Sequence, residues 1–138
     1  MAYVCIEPCE DAINKFNEFK KDKNISTIML NIRKVEGIDY VVFVKNFFQD
    51  STEEDIINFL PNYEPIFIYR KIALNNKEEK IISILYYPKN SRTKHKFLYG
   101  VIYKELNSIL KDIFEIIWTE EPSDIFKDNI LKKILKLN

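Results

Sequence analysis

The chain has 138 residues, 46% of them hydrophobic and 30% charged, and its 21 basic residues balance its 21 acidic ones. This length and apolar content favour one globular domain spanning 1–138, and zero net charge argues against a nucleic-acid binder that works through bulk positive charge. No apolar run approaches the roughly 18–20 residues of a membrane span, and the N-terminus lacks the pattern of a secretory signal, so we expect neither.

The cysteines and glycines narrow the kinds of site that the chain can hold. Cys5 and Cys9 lie four apart, and His95 is the only histidine, so the sequence falls short of a structural metal site and predicts two free cytosolic thiols. Gly37 and Gly100 are the only glycines, whereas a phosphate-binding loop needs a cluster of them. We therefore expect no metal and no nucleotide cofactor.

Apolar periodicity and helix-stop signals divide the chain into alternating helices and strands. Pro61 ends one helix, and Pro65 precedes an apolar run that is typical of a strand buried on both faces. The order predicts an α/β (α+β) domain, with one mixed sheet between helices on both faces. The predicted elements are a helix opening at Glu7 or Pro8, a hairpin of strands at 25–32 and 40–44, a helix near 52–60 capped by Asp50 or Ser51, strands near 65–73 and 81–87, a long helix at about 93–112, a strand at 113–118 and a last helix from Pro122 to about Lys136.

The long helix has a predicted core face and a predicted solvent face. Its apolar arc comprises Phe97, Leu98, Val101, Leu106, Ile109, Leu110 and Ile113. The opposite stripe comprises Lys96, Gly100, Tyr103, Lys104, Asn107 and Lys111. This stripe is either an ordinary solvated face or a surface on which a partner protein docks, with the glycine allowing close approach.

The remaining polar residues offer little catalytic chemistry. Glu120 and Glu121 are neighbours in a turn, whereas acid–base catalysis needs opposed carboxylates in a cleft. His95, between two lysines at a helix start, is expected to be exposed, and no nucleophile motif accompanies it. The last helix carries Lys127, Lys132, Lys133 and Lys136 opposite an apolar side of Ile125, Phe126, Ile130, Ile134 and Leu137. Those lysines are consistent with simple complementation of the helix dipole.

Four sequence blocks resemble one protein family, in order and across nearly the whole chain. FKKDKN at 19–24 with Ile28–Met29 is similar to F-R-K-E-T-N-N-A-A-I-I-M, and FQDSTEEDIINFLPNYEPIF at 48–67 to E-F-Q-N-I-S-P-E-E-L…E-L-P-x-x-x-P-R-F. FLYG at 97–100 is similar to M-M-Y-A-G-S-K, and IFEI at 113–116 with TEE at 119–121 to V-F-E-I-R-T-T-D-D. The chain thus resembles the actin-depolymerising-factor homology domain, and most closely its glia maturation factor branch.

The resemblance implies a five- or six-stranded mixed sheet, no enzyme activity and no cofactor. It implies a monomeric protein of the cytoplasmic actin cytoskeleton that binds the actin-related protein 2/3 complex, promotes debranching and inhibits branch nucleation. The cofilin relatives instead bind and sever actin filaments, and KHKF at 94–97 resembles cofilin's K-S-K-M. The family surface maps onto the N-terminal segment and onto Lys94, Lys96, Gly100, Tyr103, Lys104, Asn107, Lys111, Glu120, Glu121 and Asp124.

Two departures from the family pattern bear on the partner. Ile102–Tyr103 replace a small Ser-Lys pair, with Lys104 as a shifted lysine, and Ile117 replaces an arginine. Both changes fall on or near the family's binding surface, so we expect weak or absent binding to monomeric actin. We expect the long helix to dock instead into a groove on an actin-related subunit, with Tyr103 as an aromatic anchor among lysines. Cofilin-like actin binding remains the alternative, and a scaffold domain with neither target is a third.

Overall fold

A computed structural model of the chain describes residues 6–74 and 78–136. The elements follow the predicted order, with longer hairpin strands and a divided C-terminal helix. They are α1 (Ile6–Lys21), β1 (Ile25–Val35), β2 (Ile38–Phe48), α2 (Glu53–Phe59), β3 (Ile66–Leu74), β4 (Glu78–Tyr86), α3 (Thr93–Ile109), β5 (Ile113–Thr119), a 3₁₀ turn (Pro122–Ile125) and α4 (Lys127–Leu135).

The strands form one five-stranded mixed sheet in the order β2-β1-β3-β4-β5. The first four strands in this row are antiparallel neighbours, and β5 runs parallel to β4 because α3 carries the chain back across the sheet. The β1–β2 hairpin turns at Glu36 and Gly37, whose φ values of 50° and 81° are those of a two-residue hairpin turn. The predicted mixed sheet is confirmed.

Helices cover both faces of the sheet and enclose two apolar cores. On one face, α1 and α3 pack over side chains such as Phe67 and Tyr69. On the other, α2, the 3₁₀ turn and α4 pack over Ile66 and Ile68. Successive β3 residues therefore point into different cores, which confirms the strand predicted to be buried on both faces. Cys9 belongs to α1 and is buried in the core beneath that helix, and Cys5 lies outside the described residues.

The cap of α2 is Thr52, so the predicted caps Asp50 and Ser51 are wrong. Thr52 Oγ1 accepts the Asp55 N–H at 3.1 Å, and Asp55 Oδ2 accepts the Thr52 N–H at 3.0 Å, which forms a complete capping box. The hydroxyl of Ser51 is engaged one turn earlier, where it accepts the Phe48 N–H at 3.1 Å. The reciprocal pair satisfies two backbone donors and fixes the helix start at Glu53.

A buried arginine joins the elements on the α2–α4 face. The side chain of Arg70 is only 8% exposed, and its guanidinium donates to Thr27 Oγ1, Glu53 Oε1 and the Ile125 carbonyl. Glu53 Oε1 also accepts the Lys127 N–H at 2.7 Å, at the start of α4. Burial lowers the pKa of Arg70, and the Glu53 carboxylate opposes this effect. One ion pair thus ties β3 to α2 and to the C-terminal segment.

The C-terminal helix largely follows its prediction. Ile125 and Ile130 are buried, Phe126 and Ile134 are half-buried, and the four lysines are exposed. Phe126 adopts an extended backbone, with ψ of 140°, and so separates the 3₁₀ turn from α4. Leu137 lies outside the described residues.

Candidate binding surface on α3

The long helix is rotated relative to the prediction. Its buried residues are Tyr99, Gly100, Ile102, Tyr103 and Leu106, followed by Leu110 beyond its end. Leu98 and Ile109 pack against the same core, as predicted, but Phe97 is 74% exposed and not a core residue. The helix is oriented about its axis by Tyr99 and Tyr103, because each hydroxyl forms a hydrogen bond inside the protein.

Tyr103 is fully buried, so its predicted role as an exposed partner anchor is wrong. Its ring stacks on Phe67 at 5.8 Å and lies edge-on to Trp118 at 5.5 Å. Its hydroxyl lies 2.7 Å from Ser83 Oγ. Burial raises the pKa of Tyr103 to about 12, while the hydrogen bonds with Ser83 and Asn107 work in the other direction. The hydroxyl is therefore neutral, and it anchors α3 to the sheet.

Gly100 and Asn107 also face inward, which corrects their assignment to the docking stripe. A Cβ on Gly100 would lie 3.2 Å from Cη2 of Trp118, so this glycine makes room for the protein's own tryptophan. Asn107 Oδ1 accepts from the Tyr69 hydroxyl at 2.9 Å and from Ser83 Oγ at 3.0 Å. Asn107 thus belongs to the polar network that joins α3 to β3 and β4.

The predicted lysines are placed at different points along α3. Lys94 and Lys104 are exposed, while Lys96 is half-buried with Nζ 5.8 Å from the centre of the Tyr87 ring. Lys111 is exposed but lies outside the helix, which ends at Ile109 because Leu110 adopts an extended backbone with ψ of 134°. Lys111 is roughly 20 Å along the axis from the helix start, so it does not share a surface with Lys94.

The acidic residues after β5 lie at the same end of the sheet as the start of α3. Glu121 is exposed and pairs with Lys89, in the connection from β4 to α3, at 3.0 Å. Glu120 is half-buried. Asp124 has a structural role, since its Oδ2 accepts from Thr119 Oγ1 at 2.6 Å and from Lys133 Nζ at 3.3 Å. The loop is thereby fixed beside α3, with Glu120 and Glu121 at its surface.

Two aromatic side chains that sequence reasoning did not place in the site lie on this surface. Phe97, between the lysines, and Trp118, 43% exposed at the sheet edge, line a groove of about 330 Å³ with Lys96, Val101 and Lys104. We define the α3 surface as Lys94, Lys96, Phe97, Lys104, Trp118, Glu120 and Glu121. The available sequence signal was that Phe97 falls out of phase with Tyr99, Tyr103 and Leu106.

His95 is half-buried, not exposed as predicted, and its Nδ1 has no hydrogen-bond partner among the described residues. It lines a cavity of about 420 Å³ between the start of α3 and the hairpin residues Lys34 and Asp39. Among the described residues, no group of three or more His, Cys, Asp or Glu is arranged to hold a metal, and no helix is long and apolar enough to cross a membrane.

The profile of one protein family matches residues 6–135, nearly the whole chain, and its description is cofilin/tropomyosin-type actin-binding protein. The chain belongs to this family. Comparison with curated protein sequences gives no significant match.

Solved structures with the same cofilin-type fold are recognised at low identity. The cofilin of Streptomyces griseoflavus is 17% identical with a TM-score of 0.75, and the match covers 88% of this chain and 92% of that one. The actin depolymerization factor 2 of Plasmodium berghei is 22% identical with a TM-score of 0.68, covering 100% and 97%. Human coactosin-like protein is 11% identical with a TM-score of 0.75, covering 98% and 89%. These likenesses establish the fold.

Proposed function

We propose that this cofilin-family protein is a non-enzymatic regulator of the actin cytoskeleton that binds actin through its α3 surface. The observation that carries the proposal is Phe97, 74% exposed among lysines at the start of α3. A large apolar side chain in this position gains free energy when a partner covers it, and the surrounding charges set orientation and association rate. Glu120 and Glu121 complete the surface with charge of the opposite sign.

The three residues that differ from the family pattern are buried, so they no longer give a reason to expect weak actin binding. Ile102 is 7% exposed, Tyr103 is fully buried and Ile117 is 7% exposed, so all three are core residues and cannot touch a partner. Their differences from the family pattern alter packing between α3 and the sheet. The exposed residues Lys94, Phe97 and Lys104 then determine the affinity for actin.

A second candidate is binding to the actin-related protein 2/3 complex, with debranching and inhibition of branch nucleation. The four sequence blocks similar to the glia maturation factor branch favour it. Two of the blocks, 97–100 and 119–121, contribute residues to the α3 surface. An actin-related subunit presents a target of the same general kind as actin, so the α3 surface would serve in both cases.

Co-sedimentation with actin filaments, paired with imaging of branch dissociation on preformed networks, tests both candidates. Phe97→Ala should weaken binding to the preferred target by roughly tenfold or more, as expected for an aromatic hot spot. The matched control is Phe48→Ala, which removes an aromatic ring that is 46% exposed at the far end of the sheet. We expect this control to bind like the wild type.

The role of the lysines is tested with the double variant Lys94→Ala and Lys104→Ala. This variant should associate more slowly with the target at low salt, and the difference from the wild type should be smaller at high salt. The control for loss of positive charge is Lys132→Ala on α4 combined with Lys136→Ala directly after it. Filament binding without an effect on branches selects the cofilin-like function, and debranching without filament binding selects the second candidate. Unchanged binding of Phe97→Ala to both targets would rule out the α3 surface.

A further inference from the structure

The free backbone edge of β5 lies beside the α3 surface, with which it shares only the side chain of Trp118. The strand is the last of the sheet, and no described strand lies beyond it. Its exposed residues include Ile116 at 46% and Trp118 at 43%. An uncovered edge with apolar side chains is a template for pairing with another strand. From this geometry we propose that β5 pairs with β5 of a second copy, antiparallel, to form a symmetric dimer with a continuous sheet.

The hydrogen bonds of β5 show which backbone groups are available. The Thr119 carbonyl accepts the N–H of Tyr87 at 3.0 Å, so Thr119 points its backbone groups toward β4. Because this direction alternates along a strand, Ile117 and Glu115 also face β4, and Ile116 and Trp118 face away. The outward N–H of Ile116 reaches only its neighbour's carboxylate, Glu115 Oε1, at 3.4 Å. These donors and acceptors are open to a partner strand.

A second copy matches this edge in one register. A register shift at the start of β5 leaves 115–119 as its regular segment. If Ile117 sits on the two-fold axis, this segment pairs with itself over its full length, and each Ile116 lies opposite the other copy's Trp118. Both pairs have outward N–H and C=O groups and form hydrogen-bonded pairs. The two exposed apolar side chains thereby cover each other on the α3 side of the sheet.

Charge and space are compatible with the same arrangement. On the α4 side, Glu115 of one copy approaches the axial Ile117, beside which Lys133 of the other copy lies. On the opposite side, α3 is centred over β4, since Tyr103 bonds Ser83. The two β4 strands would be three strand spacings apart, roughly 14 Å, which exceeds the 8–10 Å of packed helices. The two copies of α3 therefore fit side by side.

The other edge of the sheet lacks these properties. On β2, the Phe43 N–H donates to Asp11 Oδ2 of α1 at 2.8 Å, so a helix already uses this edge. A register shift interrupts the strand at Val44, and Lys45 is exposed next to it. Bulges and lysines are features that block strand addition. Chain-to-chain pairing is therefore directed to β5, which contains neither lysine nor proline.

Sedimentation velocity from about 10 to 500 µM tests the dimer, whose small interface suggests half-dissociation on the order of 100 µM. Wild type should shift from monomer toward dimer with concentration, in contrast to the monomer expected from sequence. Ile116→Lys should stay monomeric. Ile38→Lys, the same change at a hairpin residue that is 49% exposed, should dimerise like the wild type. A wild type that stays monomeric, or an Ile116→Lys that dimerises, overturns the proposal.

Mixing two variants makes the test independent of any loss of stability. Ile116→Lys and Ile116→Glu should each be monomeric. In a dimer of either variant, the two like charges at position 116 would be diagonal neighbours across the two-fold axis and would repel each other. An equimolar mixture of differently labelled copies should form the heterodimer, detected by energy transfer, and high salt should weaken it. A mixture that remains monomeric overturns the β5 pairing. Dimerisation lost in Ile38→Lys would place the contact at the hairpin instead.

Discussion

The buried ion pair between Arg70 and Glu53 predicts an asymmetric response to substitution. Arg70 is 6% exposed, whereas the Glu53 side chain is 36% exposed. Glu53→Ala therefore leaves a buried cation with only the Thr27 hydroxyl and the Ile125 carbonyl as acceptors. Arg70→Met instead leaves a carboxylate that can turn to water. Removing the anion should thus cost more stability than removing the cation.

The magnitudes follow from the contacts that each change removes. Breaking a buried pair costs about 3–5 kcal/mol, and the lower end applies because Glu53 is partly hydrated. Loss of the acceptor for the Lys127 N–H adds about 1 kcal/mol, so Glu53→Ala should cost about 4 kcal/mol. Arg70→Met should cost about 2–3 kcal/mol, since two buried acceptors, the Thr27 hydroxyl and the Ile125 carbonyl, lose their donor while Glu53 can turn to water. The double variant should cost about 3–4 kcal/mol, well below the sum.

Urea unfolding of the four proteins measures these free energies, provided that the transitions are two-state with a common slope. The matched control is Glu54→Ala, an exposed carboxylate in the same first turn of α2, which should change stability by no more than about 0.5 kcal/mol. Additivity of the two single changes within about 0.5 kcal/mol would refute the coupling. So would an Arg70→Met more destabilised than Glu53→Ala.

Three further outcomes follow from the same structure. Thr52→Ala should lose the capping box of α2 and about 1 kcal/mol, seen as a lower urea midpoint at unchanged slope. The pKa of Tyr103 is about 12 in the folded protein and near 10 in the unfolded chain. The free energy of unfolding should therefore fall by about 2–3 kcal/mol as the pH rises from 10 toward 12. Tyr103→Phe should reduce this dependence of stability on pH. Gly100→Val should displace Trp118, the only tryptophan, and shift its fluorescence to the red; unchanged emission would contradict the close contact.

Element order was predictable from the sequence because local signals fix it. Pro61 and Pro65 bound the passage from α2 to β3, and the Gly37 turn defines the hairpin. Helix boundaries were less certain, since three consecutive residues before α2 can each serve as a cap. The choice of Thr52 depends on the reciprocal bond from Asp55, which requires the helix to be in place.

The face of α3 was predicted incorrectly at its N-terminal half, because the apolar arc included Phe97 and left out Tyr99 and Tyr103. The Tyr99 hydroxyl oxygen instead accepts a buried hydrogen bond from the Ile32 N–H at 3.0 Å, and the Tyr103 hydroxyl forms a hydrogen bond with Ser83. Those partners lie on β1 and β4, so they cannot be read from the helix sequence. Once the hydroxyls are satisfied, burying the two tyrosine rings removes more apolar area from water than burying the single Phe97 ring would. The helix therefore turns Phe97 outward.

The buried position of the family departures changes how the site should be judged. Tyr103 fills the space between Phe67 and Trp118, and Gly100 is small where the Trp118 ring approaches. A bulky residue at 103 is thus compensated within the core, and its effect on a partner is indirect, through the position of α3. In the proposed interface, Phe97 and the exposed lysines make the direct contacts with the partner. Substitutions at 103 should therefore alter stability first, and partner affinity only as far as they move the helix.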